Sequence, residues 1–329
     1  MVENDDSNSE RGRSTLARPA LERCESARPA FAPYLWMLFG AVAFTVMSTL
    51  AHHVRDRFTW QTIAIGRSIV PFLVTGLSAL AMGGQLVVFG PRALWLRSLA
   101  GSTSLVCTFF ALTRIPVADA LTLTNLFPIW VALLSWPMLR QRPGAFTWGC
   151  VVCAVFGVML ILQPHSPEGN LATLAALIAS FTSALAMIGL HRVQGVDTRA
   201  IVWHFSAISL IVAGLAKGLL RGDFPIQPQP LTGTSWIELL CVGASATIGQ
   251  FCLTKAFTLG VPSRVAVVGL SQVGFALVFE VLLEDRRYDL ASIVGMLLVL
   301  APTAVLLLRR RESFGIDPLD DAESEILAR

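Results

Sequence analysis

Residues 97–163 read RSLAGSTSLVCTFFALTRIPVADALTLTNLFPIWVALLSWPMLRQRPGAFTWGCVVCAVFGVMLILQ. The segment holds the end of one apolar stretch, 93–114, and two more at 118–139 and 145–163. A helix needs about 20 apolar residues to cross a bilayer core, and each stretch has roughly that length. The pattern continues outward on both sides, with spans at 33–54 and 59–81 before it and at 170–192, 199–220, 235–258, 262–283 and 289–308 after it. That makes ten spans, and the last five repeat the pattern of the first five. Five is odd, so the second copy enters the membrane from the opposite side. The expected fold class is an all-α integral membrane protein, with ten transmembrane helices arranged as two inverted five-helix repeats. The expected domains are repeats at 33–163 and 164–308 between tails at 1–32 and 309–329.

Composition supports a membrane class. The chain is 54% hydrophobic and 14% charged, where an ordinary soluble domain carries about 25% charged residues. Most charges sit in the tails and at the ends of apolar runs. A net charge of +3 does not suggest nucleic acid. The implied partners are the lipid bilayer and a small-molecule substrate; a homodimer is compatible with the sequence. Residues 1–30 are rich in charge, Ser and Pro, and are expected to be disordered and cytoplasmic. No cleavable signal peptide is expected, because the first apolar run is too long. Of six cysteines, Cys150 and Cys153 form a CxxC, but inside an apolar span with no second CxxC or nearby His. Packing is the expected role for that pair, and neither a metal nor a cofactor is implied.

Orientation follows the Lys/Arg bias of short loops. With the N-terminus inside, the cytoplasmic side collects 12 basic residues, among them Arg92, Arg140, Arg142, Arg192, Arg199, Arg264 and the run 309–311. The outer side collects 7: Arg55, Arg57, Arg114, Lys217, Arg221, Arg286 and Arg287. Both termini are therefore expected to be cytoplasmic.

The repeat is visible in register. AHHVRDRFT at 51–59 aligns without gaps to LHRVQGVDT at 190–198, and Ala111-Leu112-Thr113 meets Ala256-Phe257-Thr258. Gly149 meets Gly295 after one gap. Tight turns are expected at Pro116 and at Gly260–Pro262, joining the third to the fourth span and the eighth to the ninth.

These stretches resemble the EamA-type repeat of the drug/metabolite transporter superfamily. The resemblance is carried by Phe109-Phe110-Ala111-Leu112, Pro116-Val117-Ala118-Asp119-Ala120, Pro128 and the Gly149-to-Gly157 spacing. In the second copy it is carried by Gln250, Thr254-Lys255-Ala256 and Gly295. It covers about residues 33–308. The chain departs from the pattern at Leu139-Arg140-Gln141-Arg142, where the family often has an acidic residue, and at Val273, opposite Pro128. The resemblance implies a ten-helix carrier of the inner membrane that moves small metabolites, often as an exporter. It names no substrate.

No HExxH, GxSxG or GxxxxGK[ST] occurs, so the familiar hydrolase and nucleotide-binding signatures are missing, and no catalytic residue is expected. Intramembrane polar residues are the informative ones, because burying them is costly. Arg67 lies deep in the second span, as an anion-binding or gating residue or else as part of an internal salt bridge. Lys255, in the eighth span, either binds substrate or snorkels. Arg97, near the start of the third span, reads as a snorkelling anchor or else as a functional residue, the anchor being the favoured reading. Glu280, deep in the ninth, is either a proton-coupling carboxylate or an arginine's partner. Asn125 stands three residues before Pro128, where the helix is loosened and a carbonyl freed. Asn125, Gln250 and Gln272 are substrate contacts or hydrogen-bonding glue between helices. Trp36, Phe109, Phe110 and Trp130 line a cavity or pack against lipid. The candidate substrate-binding set is therefore Arg67, Asn125, Gln250, Lys255, Gln272, Phe110 and Trp130, with Glu280 as coupling candidate and no metal ligands. Arg67 and Lys255 favour a carboxylate or phosphate on the substrate and allow a zwitterion.

The function these features suggest is secondary transport by alternating access. A membrane-embedded enzyme would need clustered titratable residues. His52, His53, Arg55, Asp56 and Arg57 do cluster, but in a turn, where a solvated loop is the ordinary explanation. A non-transporting scaffold is the third reading.

Overall fold

A computed structural model describes residues 31–54, 57–83, 86–87, 89–112, 117–162, 171–193, 195–219, 233–284 and 290–308. The expected tails at 1–30 and 309–329 lie outside these residues. So do the joint at Pro116, the loop residues Arg55, Asp56, Arg114, Arg221, Arg286 and Arg287, and the side chains of His52 and Glu280.

Twelve helices are formed among the described residues. They are α1 (Ala32–Val54), α2 (Trp60–Ala81), α3 (Arg92–Leu112), α4 (Val117–Thr124), α5 (Phe127–Leu139) and α6 (Ala145–Leu162). The second half contains α7 (Leu171–Arg192), α8 (Thr198–Leu219), α9 (Gly233–Leu259), α10 (Pro262–Gly269), α11 (Ser271–Glu284) and α12 (Leu290–Leu308). By length and composition, six stretches can cross a membrane. Apolar exposure agrees with a lipid surround: Phe39, Leu77, Leu80, Leu215 and Leu240 all face outward.

Two spans read as continuous are each broken in two. The first break follows from local chemistry. Thr124 Oγ1 and Asn125 Nδ2 both donate to the Leu121 carbonyl, at 3.1 and 2.8 Å. Such side chains compete with the helical ladder. Pro128 then stands at the second position of α5, where its missing N–H does no harm. The second break, at Leu270, uses no proline. There the Leu270 and Val273 amides bond to Val267 and Leu270 carbonyls at 3.1 and 3.0 Å, a tightened turn. Thr45 of α1 shares its hydroxyl proton between Ala41 O at 2.9 Å and Gln272 O at 3.2 Å, supplying a donor just past the break. The turn at Gly260 is as expected, with the Gly260 amide on Ala256 O at 2.9 Å and α10 starting at Pro262.

Residues Pro33–Leu308 form one compact unit. Its helix pairings keep the repeat. Exchanging the two copies turns the α2–α9 pair into α8–α3 and the α4–α6 pair into α10–α12, and all four pairs are in contact. The α2–α8 and α6–α12 contacts map onto themselves. The register also survives in detail, pairing Ser104 with Gly249, Ala179 with Gly40 and Ser183 with Phe44. Ser104 Oγ donates to Ala179 O at 2.9 Å and lies 2.6 Å from Ser183 Oγ. A methyl added at Gly249 would sit 2.7 Å from the Phe44 ring, and one at Gly40 would lie 3.5 Å from Gly249 O. The same positions thus meet in both copies, by hydrogen bonds in one and by glycine packing in the other.

Close crossings use glycine. A methyl at Gly157 of α6 would lie 2.7 Å from the Gly295 carbonyl of α12. Beside this crossing Cys150 is buried and Cys153 donates its thiol to Leu298 O at 3.5 Å. That is packing chemistry, as the span position implied.

Candidate functional site

The two helix breaks lie against each other. A methyl at Gly269, the last residue of α10, would be 3.8 Å from the Phe127 ring, which opens α5. It would also be 2.9 Å from Met37 Cε of α1. Helix α5 packs on α10 across the repeat boundary. Asn125 and Gln272 flank the two breaks, both partly buried. The Asn125 amide is spent on Leu121 O. The Gln272 side chain makes no hydrogen bond to another described residue.

A second group of residues gathers around α9. Gln250 Oε1 accepts from Arg97 Nη2 at 3.1 Å. The Arg97 guanidinium lies over the Phe205 ring of α8, 4.1 Å from its centroid. Arg97 is 2% exposed, so it does not snorkel; this corrects the sequence expectation. The reason is geometric. Gly101 follows one turn later on the same face, and a methyl there would be 2.4 Å from Arg97 Nη1 and 2.8 Å from Phe205. Gly189 of α7 comes close enough that a methyl there would sit 3.0 Å from the Arg97 amide. The signal was present: a basic residue on the small-residue face of a helix is enclosed by the neighbour those small residues admit.

Arg67, on α2, is half-buried and makes no hydrogen bond or ion pair with another described residue. Its like charge acts on Arg97. One turn beyond Gln250, Lys255 Nζ sits 5.2 Å from the Trp36 ring of α1 and 5.4 Å from Phe251. Both distances are within cation–π range. The two rings meet edge to face, with centroids 6.4 Å apart.

Other candidates lie elsewhere. Trp130 of α5 donates from Nε1 to Ser180 Oγ at 3.1 Å and stands edge-on to Phe181, tying α5 to α7. Phe109 stacks on Trp60, with centroids 5.8 Å apart, and Phe110 is half-buried on α3. His204, buried, lies 2.7 Å from Ser98 Oγ through Nδ1 and edge-on to Trp95. Glu238 pairs with Arg57 at 3.0 Å, a partly buried bridge. Among the described residues, no group of three or more His, Cys, Asp or Glu is placed to hold a metal ion.

Comparison with known proteins fits this architecture. The model of the EamA-like transporter family matches residues 31–163 and again 170–308. The pseudopaline exporter CntI of Pseudomonas aeruginosa is 28% identical over 83% of this chain and 94% of its own length. Solute carrier family 35 member G1 of Homo sapiens is 24% identical over 90% of this chain and 85% of its own. A riboflavin transporter of Vibrio cholerae is 23% identical over 68% of this chain and 75% of its own. One solved crystal structure superposes with a TM-score of 0.71 at 20% identity, covering 84% of this chain and 99% of the other, a likeness of fold. This chain belongs to the EamA-like transporter family. It is a multi-pass membrane protein, a transporter rather than an enzyme.

Proposed function

From that membership we propose that the chain is a secondary carrier. It moves a small polar or amphipathic metabolite across the inner membrane by alternating access of two inverted five-helix repeats. Both termini are cytoplasmic and flux runs outward or by exchange. The observation that carries this reading is the pair of broken helices at corresponding places in the two copies, meeting around Met37, Phe127 and Gly269. In secondary transporters, interrupted helices at matching positions are the best pointer to the binding site, since they offer backbone groups to a ligand. Asn125 and Gln272 supply polar contacts beside the breaks. Gln250, Lys255 and Arg67 line the path on α9 and α2, with Phe110 and Trp130 as apolar walls. Glu280 on α11 is the coupling carboxylate. The names of the relatives, an exporter of pseudopaline and a transporter of riboflavin, support a small organic cargo.

Counterflow tests the proposal. Proteoliposomes holding the purified chain are loaded with unlabelled amino acids, organic acids, nucleotides or flavins, and uptake of label is recorded. Accumulation driven by one class is expected. Flux equal to empty vesicles across the panel, with insertion verified, would contradict the carrier reading.

A further inference from the structure

Arg97 is 2% exposed and uses only part of its donor set. Nη2 donates to Gln250, and Phe205 covers one face. Its Nε is buried and has no hydrogen-bond partner. A guanidinium carries five N–H donors in a rigid fork that matches a carboxylate or phosphate. An enclosed charge without a counter-charge is costly, and a second cation nearby raises that cost. Arg67 is that second cation. The two acidic side chains described between residues 33 and 308 are engaged elsewhere: Glu238 holds Arg57, and Asp197 accepts from the Arg199 amide at 2.9 Å. Among the described residues, then, Arg97 is enclosed and feels the like charge of Arg67, while the described carboxylates are engaged elsewhere.

We propose that Arg97 and Arg67 form an oxyanion site at the repeat boundary, in which the free Nε edge of Arg97 receives a carboxylate or phosphate group of the transported molecule. This rests on the transporter reading above and adds a substrate class and an anchoring residue. Gln250 is a positioning residue, fixing the plane of the fork from the opposite repeat. The space left by Gly101 is what admits the guanidinium, while Gly189 lets α7 come close to the α3 backbone at Arg97. A bound carboxylate offsets one of the two positive charges and a phosphate dianion offsets both, so loading lowers the electrostatic cost of the site. Arg97 stands in the first repeat, while Gln250 and Phe205 stand in the second. An anion on Nε therefore draws groups of both copies together.

The test is thermal unfolding of the full chain in detergent, with glutarate, inorganic phosphate or chloride at one ionic strength. A ligand that binds only the folded state raises the midpoint with its concentration. A saturable rise is expected with glutarate, phosphate or both, and none with chloride; the two oxyanions separate carboxylate from phosphate recognition. In Arg97→Gln and Arg67→Gln the half-saturating concentration rises about tenfold or more, as expected for losing a charge-assisted contact. Arg57→Gln, on the separate bridge to Glu238, keeps the wild-type value. Gly101→Ala leaves both charges in place but displaces the fork, and weakens binding too. It carries the test if Arg97→Gln does not fold. No saturable rise with either oxyanion, or an unchanged half-saturation in Gly101→Ala, overturns the site. If counterflow finds an uncharged cargo and no oxyanion stabilises the chain, the carrier stands and this site falls. A saturable oxyanion effect on a chain without counterflow leaves the site standing and removes the carrier.

Discussion

Replacing Gln250 by Leu isolates the hydrogen bond by which Arg97 is tied to the other repeat. Gln250 is 7% exposed and Arg97 2%, so water does not take over the lost contact. Hydrogen bonds to charged groups are worth about 1.5–3 kcal/mol, whereas polar pairs in a membrane protein measured by double-mutant cycles average about 0.6 and reach about 1.7 kcal/mol. The charged donor moves this pair toward the upper end of the membrane range, and the 3.1 Å length does not suggest an unusually strong bond. Leu at 250 leaves Nη2 without its acceptor. Arg97→Met removes the charge but strands the Gln250 amide. In the double variant neither group is stranded. The expected coupling is about 1–1.7 kcal/mol, well above the ~0.3–0.5 kcal/mol scatter of independent sites. The assay is equilibrium unfolding in mixed micelles of the wild type, both single variants and the double. Additive losses within that scatter would refute the argument that the pair joins the repeats.

Three further outcomes are expected. Gly157→Ala puts a methyl 2.7 Å from Gly295 O and 2.9 Å from both Leu298 Cβ and Val299 Cγ2. Forcing α6 and α12 apart should cost about 1–3 kcal/mol in the same unfolding assay, while Gly149→Ala, with nothing within 4 Å, should be neutral. Asn125→Ala removes a side chain that competes for the Leu121 carbonyl; membrane insertion should be normal and counterflow at least several-fold slower, and unaltered flux would take Asn125 out of the site. Arg57→Gln breaks a bridge whose partners are 32% and 27% exposed; it should change stability by no more than about 1 kcal/mol and leave flux unchanged.

Helix positions were legible because apolar length is written directly in the chain. The run read at 33–54 became Ala32–Val54, and that at 145–163 became Ala145–Leu162. The repeat was legible for the same reason: the register through His52 and His191 pairs Gly40 with Ala179 and Phe44 with Ser183, and that through Ala111 and Ala256 pairs Ser104 with Gly249. The breaks were half legible. Asn125 before Pro128 marked the first, but Leu270 carries no such mark. That turn lies beside Thr45, 225 positions earlier in sequence, which donates to Gln272 just beyond it. Arg97 was misread because snorkelling is judged from depth along one helix. Its burial comes instead from Phe205, Gln250 and Gly189, which only the assembled fold brings around it. The aromatic partners of Lys255 were partly visible, since Phe251 lies one turn away, while Trp36 comes from α1.

In the proposed transport cycle, cargo passes between the two facing helix breaks, reached in turn from each side. A single cysteine at position 272, made by Gln272→Cys in a chain whose native cysteines are Ala, tests it most directly. An impermeant thiol reagent is added from inside or outside proteoliposomes, with and without the cargo found by counterflow. Labelling from both sides, slowed by cargo, is expected. Labelling from one side only, or at a rate indifferent to cargo, would contradict it.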